Sequence, residues 1–219
     1  MRLIDTHSHL FLEEFSEDFP QVIERARAAG VTHIFMPNID STTIEAMLSA
    51  CSVYKGYCFP MIGLHPTSVN ANYEKELEIV ARELKFSKEY VAIGEIGMDL
   101  YWDKTYLKEQ QIVLDKQVNW ALEYDLPIVI HCRDAFDYIY KVLEPYKKTP
   151  LRGIFHSFTG TAEEATRVLE FSDFFIGING VVTFKKSHLP EILAGIPLEK
   201  IVLETDSPYL TPVPNRGKR

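Results

Sequence analysis

Short apolar, β-rich runs alternate with amphipathic stretches from one end of the chain to the other. Strands are predicted over Leu3–His7, Thr32–Pro37, Cys58–His65, Val91–Gly97, Pro127–Cys132, Gly153–Ser157, Phe174–Asn179 and Ile201–Thr205. Helices are predicted between them, over Asp18–Ala29, Thr43–Tyr54, Tyr73–Phe86, Lys104–Tyr124, Ala135–Tyr146, Ala162–Phe171 and Ser187–Ala194. Thr42 with Glu45 and Thr161 with Glu164 have the spacing of capping boxes, and Gly30 stands where a helix-terminating glycine belongs.

This alternation implies a parallel sheet covered by helices, and eight strands favour closure into a TIM-type (β/α)8 barrel. No GxGxxG turn follows the first strand, so a dinucleotide fold has no support. Without a linker, low-complexity tract or repeat, residues 1–219 read as a single domain. The eighth strand is followed only by Asp206–Arg219, where Pro208, Pro212 and Pro214 oppose a helix. Because such barrels typically take about 250 residues, the eighth helix is expected to be missing. Apolar surface should then be exposed beside the last strand, and Asp206 less firmly anchored.

Composition narrows the classes of function. With 46% hydrophobic and 25% charged residues the chain reads as a soluble globular protein. It opens with no signal-like segment and holds no apolar run of membrane-spanning length. Cys51, Cys58 and Cys132 form no CxxC pair, which fits buried thiols in a reducing, cytoplasmic setting. The charge, 23 minus 31 or −8, excludes a broad basic face for duplex nucleic acid. Any nucleic-acid footprint should be small, with metal ions supplying the local positive charge. The basic patches Lys185-Lys186 and Arg216–Arg219 read as solvated surface.

The candidate chemistry lies at the predicted strand ends. In Asp5-Thr6-His7-Ser8-His9, residues two apart share a face, so His7 and His9 point the same way and can grip one divalent ion. His65, His131 and His156 close strands three, five and six, Glu95 lies near the end of strand four, and Asp206 follows strand eight. A barrel gathers these ends on one face. Five of the seven histidines therefore converge, while His33 and His188 read as structural or surface residues. Two carboxylates held together in an apolar mouth repel unless cations compensate them. The expected arrangement has His7, His9 and Asp206 on one ion, His131 and His156 on another, and Glu95 between them. Imidazole with carboxylate suits Zn2+, Mn2+ or Fe2+ better than Mg2+. Two ions about 3.5–4 Å apart can activate a water without a protein nucleophile.

Other residues near the mouth carry weaker signals. Ser157 and Cys132 each follow a ligand position by one residue and are expected to face away. His65 either meets a substrate phosphate or orients a ligand. Arg133 shares the parity of His131 and can clamp a phosphate, unless it pairs with Asp134, itself a predicted helix cap. Glu204 is expected to hydrogen-bond a ligand rather than bind metal.

The motifs Asp5-Thr6-His7-Ser8-His9, Gly63-Leu64-His65-Pro66, Gly94-Glu95-Ile96-Gly97-Met98-Asp99, His131-Cys132-Arg133-Asp134-Ala135, His156-Ser157-Phe158-Thr159-Gly160 and Glu204-Thr205-Asp206-Ser207-Pro208 occur in order along the chain. Together they resemble the TatD family of metal-dependent deoxyribonucleases. The resemblance implies a TIM-barrel metallohydrolase that cuts DNA phosphodiesters as a 3′-to-5′ exonuclease on single strands, supported by Mg2+ or Mn2+. It implies ligand roles for His7, His9, Glu95, His131, His156 and Asp206 and a substrate-side place for His65; catalytic roles are expected for Glu95, Asp206 and His65, and substrate contacts through His65 and Arg133. DNA, single-stranded or at ends, is then the expected partner, and a monomer the expected state. The departure is at the end, since members of the family continue past Asn215–Arg219 into a last helix. The main competing chemistry on such a scaffold is hydrolysis of a C–N or C–O bond. Many relatives of that kind bridge their ions through a fourth-strand lysine, and no lysine occurs in Gly94–Asp99.

Overall fold

A computed structural model describes Met1–Arg219. Strands β1 (Leu3–Asp5), β2 (Val31–Pro37), β3 (Cys58–Met61), β4 (Ile93–Asp99), β5 (Ile128–Arg133), β6 (Gly153–Phe155), β7 (Phe174–Ile178) and β8 (Ile201–Leu203) occur in that order. Helices α1 (Phe19–Ala28), α2 (Ile44–Val53), α3 (Tyr73–Phe86), α4 (Leu107–Glu123), α5 (Phe136–Leu143), α6 (Ala162–Val168) and α7 (Leu189–Leu193) lie between them. All the strand pairings are parallel. The fold is thus TIM-barrel-like α/β, with eight strands and seven helices near the predicted places.

The expected single closed sheet is present as two sheets, β1-β2-β3 and β4-β5-β6-β7-β8. Their edges meet at both seams. Gly94 N–H donates to Ile62 O at 2.9 Å and Ile62 N–H to Ala92 O at 3.1 Å. On the other side Thr6 N–H donates to Leu203 O at 3.1 Å and Asp206 N–H to His7 O at 2.9 Å. Each seam falls where a strand is short or its register shifts: β1 and β8 have three residues each, and the register of β4 changes between Ile93 and Ile96. Both sheets nevertheless share one core, a connected cluster of 39 buried apolar residues that includes Ile34, Met36, Ile96, Ile130, Phe155 and Phe174.

Helix α4 shows how pattern becomes packing. Its buried positions, Gln110, Val113, Leu114, Gln117, Val118 and Ala121, recur at three- and four-residue intervals and make one inward stripe. Two of the six are glutamines, and their amides complete backbone pairing that the strands cannot. Gln117 accepts from Leu64 N–H at 2.7 Å and donates to Leu64 O, while Gln110 accepts from Asp99 N–H at 2.9 Å and donates to Asp99 O.

Several local expectations change. The Thr161–Glu164 capping box forms, and Gly30 follows α1 with φ of 92°. The Thr42–Glu45 box does not form. Asp40 takes both the N–H and the hydroxyl of Thr42, leaving Thr43 as the helix cap. Asp134 is not the cap of α5 either; it adopts φ of 53° and the cap is Ala135. No helix follows β8, and Ile4 and Leu203 on the adjoining β1 and β8 are about half exposed (46% and 54%). No helix is long and apolar enough to cross a membrane.

Candidate metal centre

Strands β1, β3, β6, β7 and β8 end sooner than the pattern predicts, while β4 and β5 run further, so much of the chemistry sits on the segments that leave the strands. His7, His156 and Asp206 lie one to three residues past β1, β6 and β8, while Glu95 and His131 lie within β4 and β5. His65 is the clearest correction. Strand β3 stops at Met61, and His65 instead caps the turn Pro66–Ser68, its Nδ1 accepting the Thr67 N–H at 3.1 Å. The main chain is forced at several of these exits. Asp134, Ser157 and Asp206 have φ of 53°, 48° and 59°, the left-handed region that costs a residue with a side chain about 1–2 kcal/mol.

All the residues expected at the site converge, and Glu95 lies at their centre. Its Oε2 is 3.1 Å from His7 Nε2 and 3.5 Å from His9 Nε2. Its Oε1 is 2.9 Å from His131 Nδ1, 3.2 Å from His156 Nε2 and 3.3 Å from His65 Nε2. Asp206 Oδ1 completes the first group, 3.7 Å from His7 Nε2 and 3.6 Å from His9 Nε2. His156 lies between the two groups, stacked on His7 with ring centroids 3.6 Å apart. His65 stands among the donors around Oε1, edge-on to His131.

The donor set fits divalent cations. His7 Nε2 and His9 Nε2 face each other at 3.2 Å, a pairing in which two neutral rings can share only one proton. Buried Nδ1 atoms of His7 and His9 have no partner. Mixed nitrogen and carboxylate oxygen donors, nearly all buried, form three overlapping groups: His7–His9–Glu95, His7–His156–Asp206 and His65–Glu95–His131. Without a cation the cluster balances its own charge. Burial would raise Glu95, but the imidazoles of His65, His156 and His7 hold it well below the usual carboxylate range. Burial would lower His156, yet the carboxylates of Glu204 and Glu95 hold it well above the imidazole range. Burial keeps His7 low, and the charge of His156 pushes the same way.

Three carboxylates brace the cluster from behind. Asp99 Oδ2 is 2.9 Å from His131 Nε2, so the ring that meets Glu95 through Nδ1 is held at both nitrogens. Glu204 Oε1 lies 3.2 Å from His156 Nδ1 as a charge contact without hydrogen-bond geometry, so the hydrogen bond expected of Glu204 does not form. Asp5 ties β1 to the segment carrying Asp206, accepting from Thr205 N–H at 2.9 Å and the Thr205 hydroxyl at 2.7 Å; burial raises its carboxyl to about 7 against those bonds. Sequence reasoning assigned no role to Asp99 or Asp5. The inward glutamine Gln110, which fixes the Asp99 main chain, was the available signal.

The mouth opens into a cleft of about 630 Å³ bordered by His9, His65, Glu95, His131, Arg133 and Asp206 among others. Cys132, within β5, and Ser157, which turns left-handed just past β6, also border it, contrary to expectation. Neither has the setting of a nucleophile. Burial, with the charge of Glu164, pushes the Cys132 thiol up to about 12, and the Ser157 hydroxyl accepts from the Asn179 amide at 2.8 Å rather than meeting a base. Arg133 forms no pair with Asp134; its guanidinium lies over the Tyr101 ring, 3.8 Å from the centroid.

A buried His/Glu/Asp cluster with this geometry, at one mouth of a TIM-barrel-like fold, defines a metal-dependent hydrolase. The family profile described as TatD related DNase matches residues 4–219, and the chain belongs to that family. It is 38% identical over 218 residues to the metal-dependent hydrolase YabD of Bacillus subtilis, covering 99% of this chain and 84% of the relative. It is 32% identical over 212 residues to a protein of Pantoea ananatis named 3′-5′ ssDNA/RNA exonuclease TatD, covering 96% and 81%. Among solved structures, the TatD homologue YjjV of Escherichia coli superposes with a TM-score of 0.91 at 30% identity, over 99% of this chain and 83% of that one.

Proposed function

We propose that the chain is a two-metal phosphodiester hydrolase that shortens single-stranded DNA from its 3′ end. The observation that carries this reading is Glu95, whose two oxygens face separate sets of imidazoles, Oε2 toward His7 and His9 and Oε1 toward His65, His131 and His156. A carboxylate so placed would reach two cations at once. His7, His9 and Asp206 would hold the first and His131 and His156 the second, and the hydrogen bonds across both seams support reading the wall as an eight-stranded barrel short of its last helix. When bound, such a pair supplies Lewis acidity and a water acidified to near neutrality.

The chain's own groups do the rest. Asp206, at the border of the cleft, would accept the proton that the attacking water loses. His65 and Arg133 border the same cleft and meet the phosphate from the substrate side. The Cys132 thiol and the Ser157 hydroxyl have no activating base, which leaves water as the nucleophile. The net charge of −8 gives no broad basic surface, so contact is confined to a chain end in the cleft. The name borne by the Pantoea ananatis relative supports the substrate class.

The test is a panel of 3′- and 5′-labelled single strands, duplex, RNA and closed circular DNA with Mg2+ or Mn2+. Stepwise loss from the 3′ end of single strands, abolished by chelation, is the expected result. Efficient nicking of closed circles, or no metal-dependent cleavage of any strand, would overturn the reading.

A further inference from the structure

The loop leaving β4 carries two exposed aromatic rings beside the metal centre. Tyr101 and Trp102 are 53% and 71% exposed, although large aromatic side chains gain most from burial. They meet edge to face, with centroids 4.9 Å apart at 89°. Arg133 covers them from β5, 3.8 Å from the Tyr101 centroid and 5.1 Å from that of Trp102. The arginine is exposed and takes part in ring contacts instead of an ion pair, so its charge is available to a ligand.

The position of this group is tied to the proposed ligands. Asp99 holds His131 Nε2 with one oxygen and accepts the Tyr101 N–H at 3.0 Å with the other. Leu100 N–H donates to Arg133 O at 2.9 Å, which pins the loop to the strand bearing His131. Trp102 and Arg133 border the same cleft as Glu95 and Asp206. An aromatic face next to a guanidinium, at the rim of a site that gathers cations, matches one repeating unit: a flat base attached to a phosphodiester.

We propose that Trp102, supported by Tyr101 and Arg133, is a stacking subsite for a nucleobase of a single-stranded polynucleotide, adjoining the phosphate held at the metal centre. This rests on the nuclease reading above and adds the residue that grips the base. Stacking on a π-face tolerates every base, so the subsite favours unpaired strands without sequence preference. A duplex end keeps its bases stacked on one another and gains nothing from Trp102.

The test uses the full chain with Mn2+ and a phosphorothioate-linked oligothymidylate that resists cleavage, with binding read by fluorescence anisotropy of a 5′ dye. Because Trp102 is largely in solvent, Trp102→Ala should fold normally. It should raise Kd about tenfold, Trp102→Phe should restore most of the loss, and an oligomer with abasic 3′-terminal positions should bind wild type and Trp102→Ala alike. In wild type the bound oligothymidylate should quench Trp102 emission, leaving Trp120, the other of the two tryptophans. Equal Kd for wild type and Trp102→Ala on the base-bearing oligomer, or equal sensitivity of the abasic oligomer, overturns the subsite. Cleavage of the ordinary phosphodiester oligomer is scored separately. Wild-type cleavage with no effect of Trp102→Ala refutes the subsite and leaves the nuclease reading intact; Trp102-dependent binding without any cleavage does the reverse.

Discussion

The two halves of the metal centre are built differently. Around Glu95 Oε1, the rings of His131 and His156 each have a carboxylate behind them, Asp99 at 2.9 Å and Glu204 at 3.2 Å. Around Oε2, the rings of His7 and His9 point their Nε2 atoms at each other, and their buried Nδ1 atoms have neither a hydrogen bond nor the carboxylate contact that the Nδ1 of His156, itself without a hydrogen bond, has. Carboxylates behind a ring fix its tautomer and orientation and raise its basicity. In the first half the His131 ring is therefore oriented by protein alone. The other half depends on a cation to reconcile two nitrogens 3.2 Å apart. Electrostatics follow that line only in part: carboxylates raise His131 and His156 despite burial, whereas burial lowers His7 and also His65, which stands on the Oε1 side. A metal titration should show two steps, with the tighter belonging to the braced half.

The strongest way to break this comparison is to remove what the halves share. Glu95→Ala deletes both oxygens at once, and bound metal should fall from two ions per chain toward none. Activity should drop about 10³-fold or more, since each tenfold is about 1.4 kcal/mol and metal stabilisation of the transition state is worth several. Elemental analysis and initial rates check it; a variant that keeps both ions shows that Glu95 bridges nothing.

Next in size is the wall behind the braced half. Gly97 pairs with His131 in the β4–β5 register, and its φ is 139°. A Cβ there would collide with the carbonyl oxygen of His131. Gly97→Ala should cost about 3 kcal/mol from overpacking and a disallowed φ, and should loosen the His131 ion before the His7–His9 ion. A urea midpoint unchanged from wild type would contradict the tight approach of these strands.

The sharpest test separates the halves. Asp99→Ala frees His131 Nε2 without touching His7 or His9, and should weaken one ion about 10- to 100-fold, drawing the two titration steps together. Equal weakening of both ions would mean that the brace serves the cluster as a whole.

These residues also mark how far the sequence could be read. The pairing of His7 with His9 was legible because two-residue spacing gives a shared face, and their Nε2 atoms meet even though β1 ends at Asp5. Glu204 was legible by parity with Asp206. His65 was misplaced because the apolar run continues through Leu64, whereas backbone pairing of β3 ends at Met61 and a single bridge at Ile62 joins the next sheet. Asp99 stayed hidden because its role depends on the pairing of β4 with β5, which sets Asp99 beside Arg133 and within reach of His131. That register is a contact between positions more than thirty residues apart, and no local pattern encodes it. The division of the eight strands into two sheets is equally non-local, since it turns on which edges carry enough residues to pair.

A last effect, away from the metal centre, comes from two buried thiols at which burial outweighs every neighbouring charge. Cys51 and Cys58 are free and lie in the core beside α2 and β3. Burial pushes both thiols up to about 12 from 9.0, reinforced at Cys51 by the charge of Cys58 and opposed at Cys58 by Arg27. The sign follows from proton counting. Between pH 9 and 12 the unfolded chain has released these protons while the folded chain keeps them, so stability falls as pH rises through that window. The slope is at most about 1.4 kcal/mol per pH unit for each thiol. Urea midpoints at pH 8 and pH 10.5 should therefore converge when Cys51→Ala and Cys58→Ala are combined, after correction for the cavity cost seen at pH 8. In the native chain both thiols should resist iodoacetamide at pH 8 and react only on unfolding. Rapid native labelling of either one would show a thiolate that burial does not suppress.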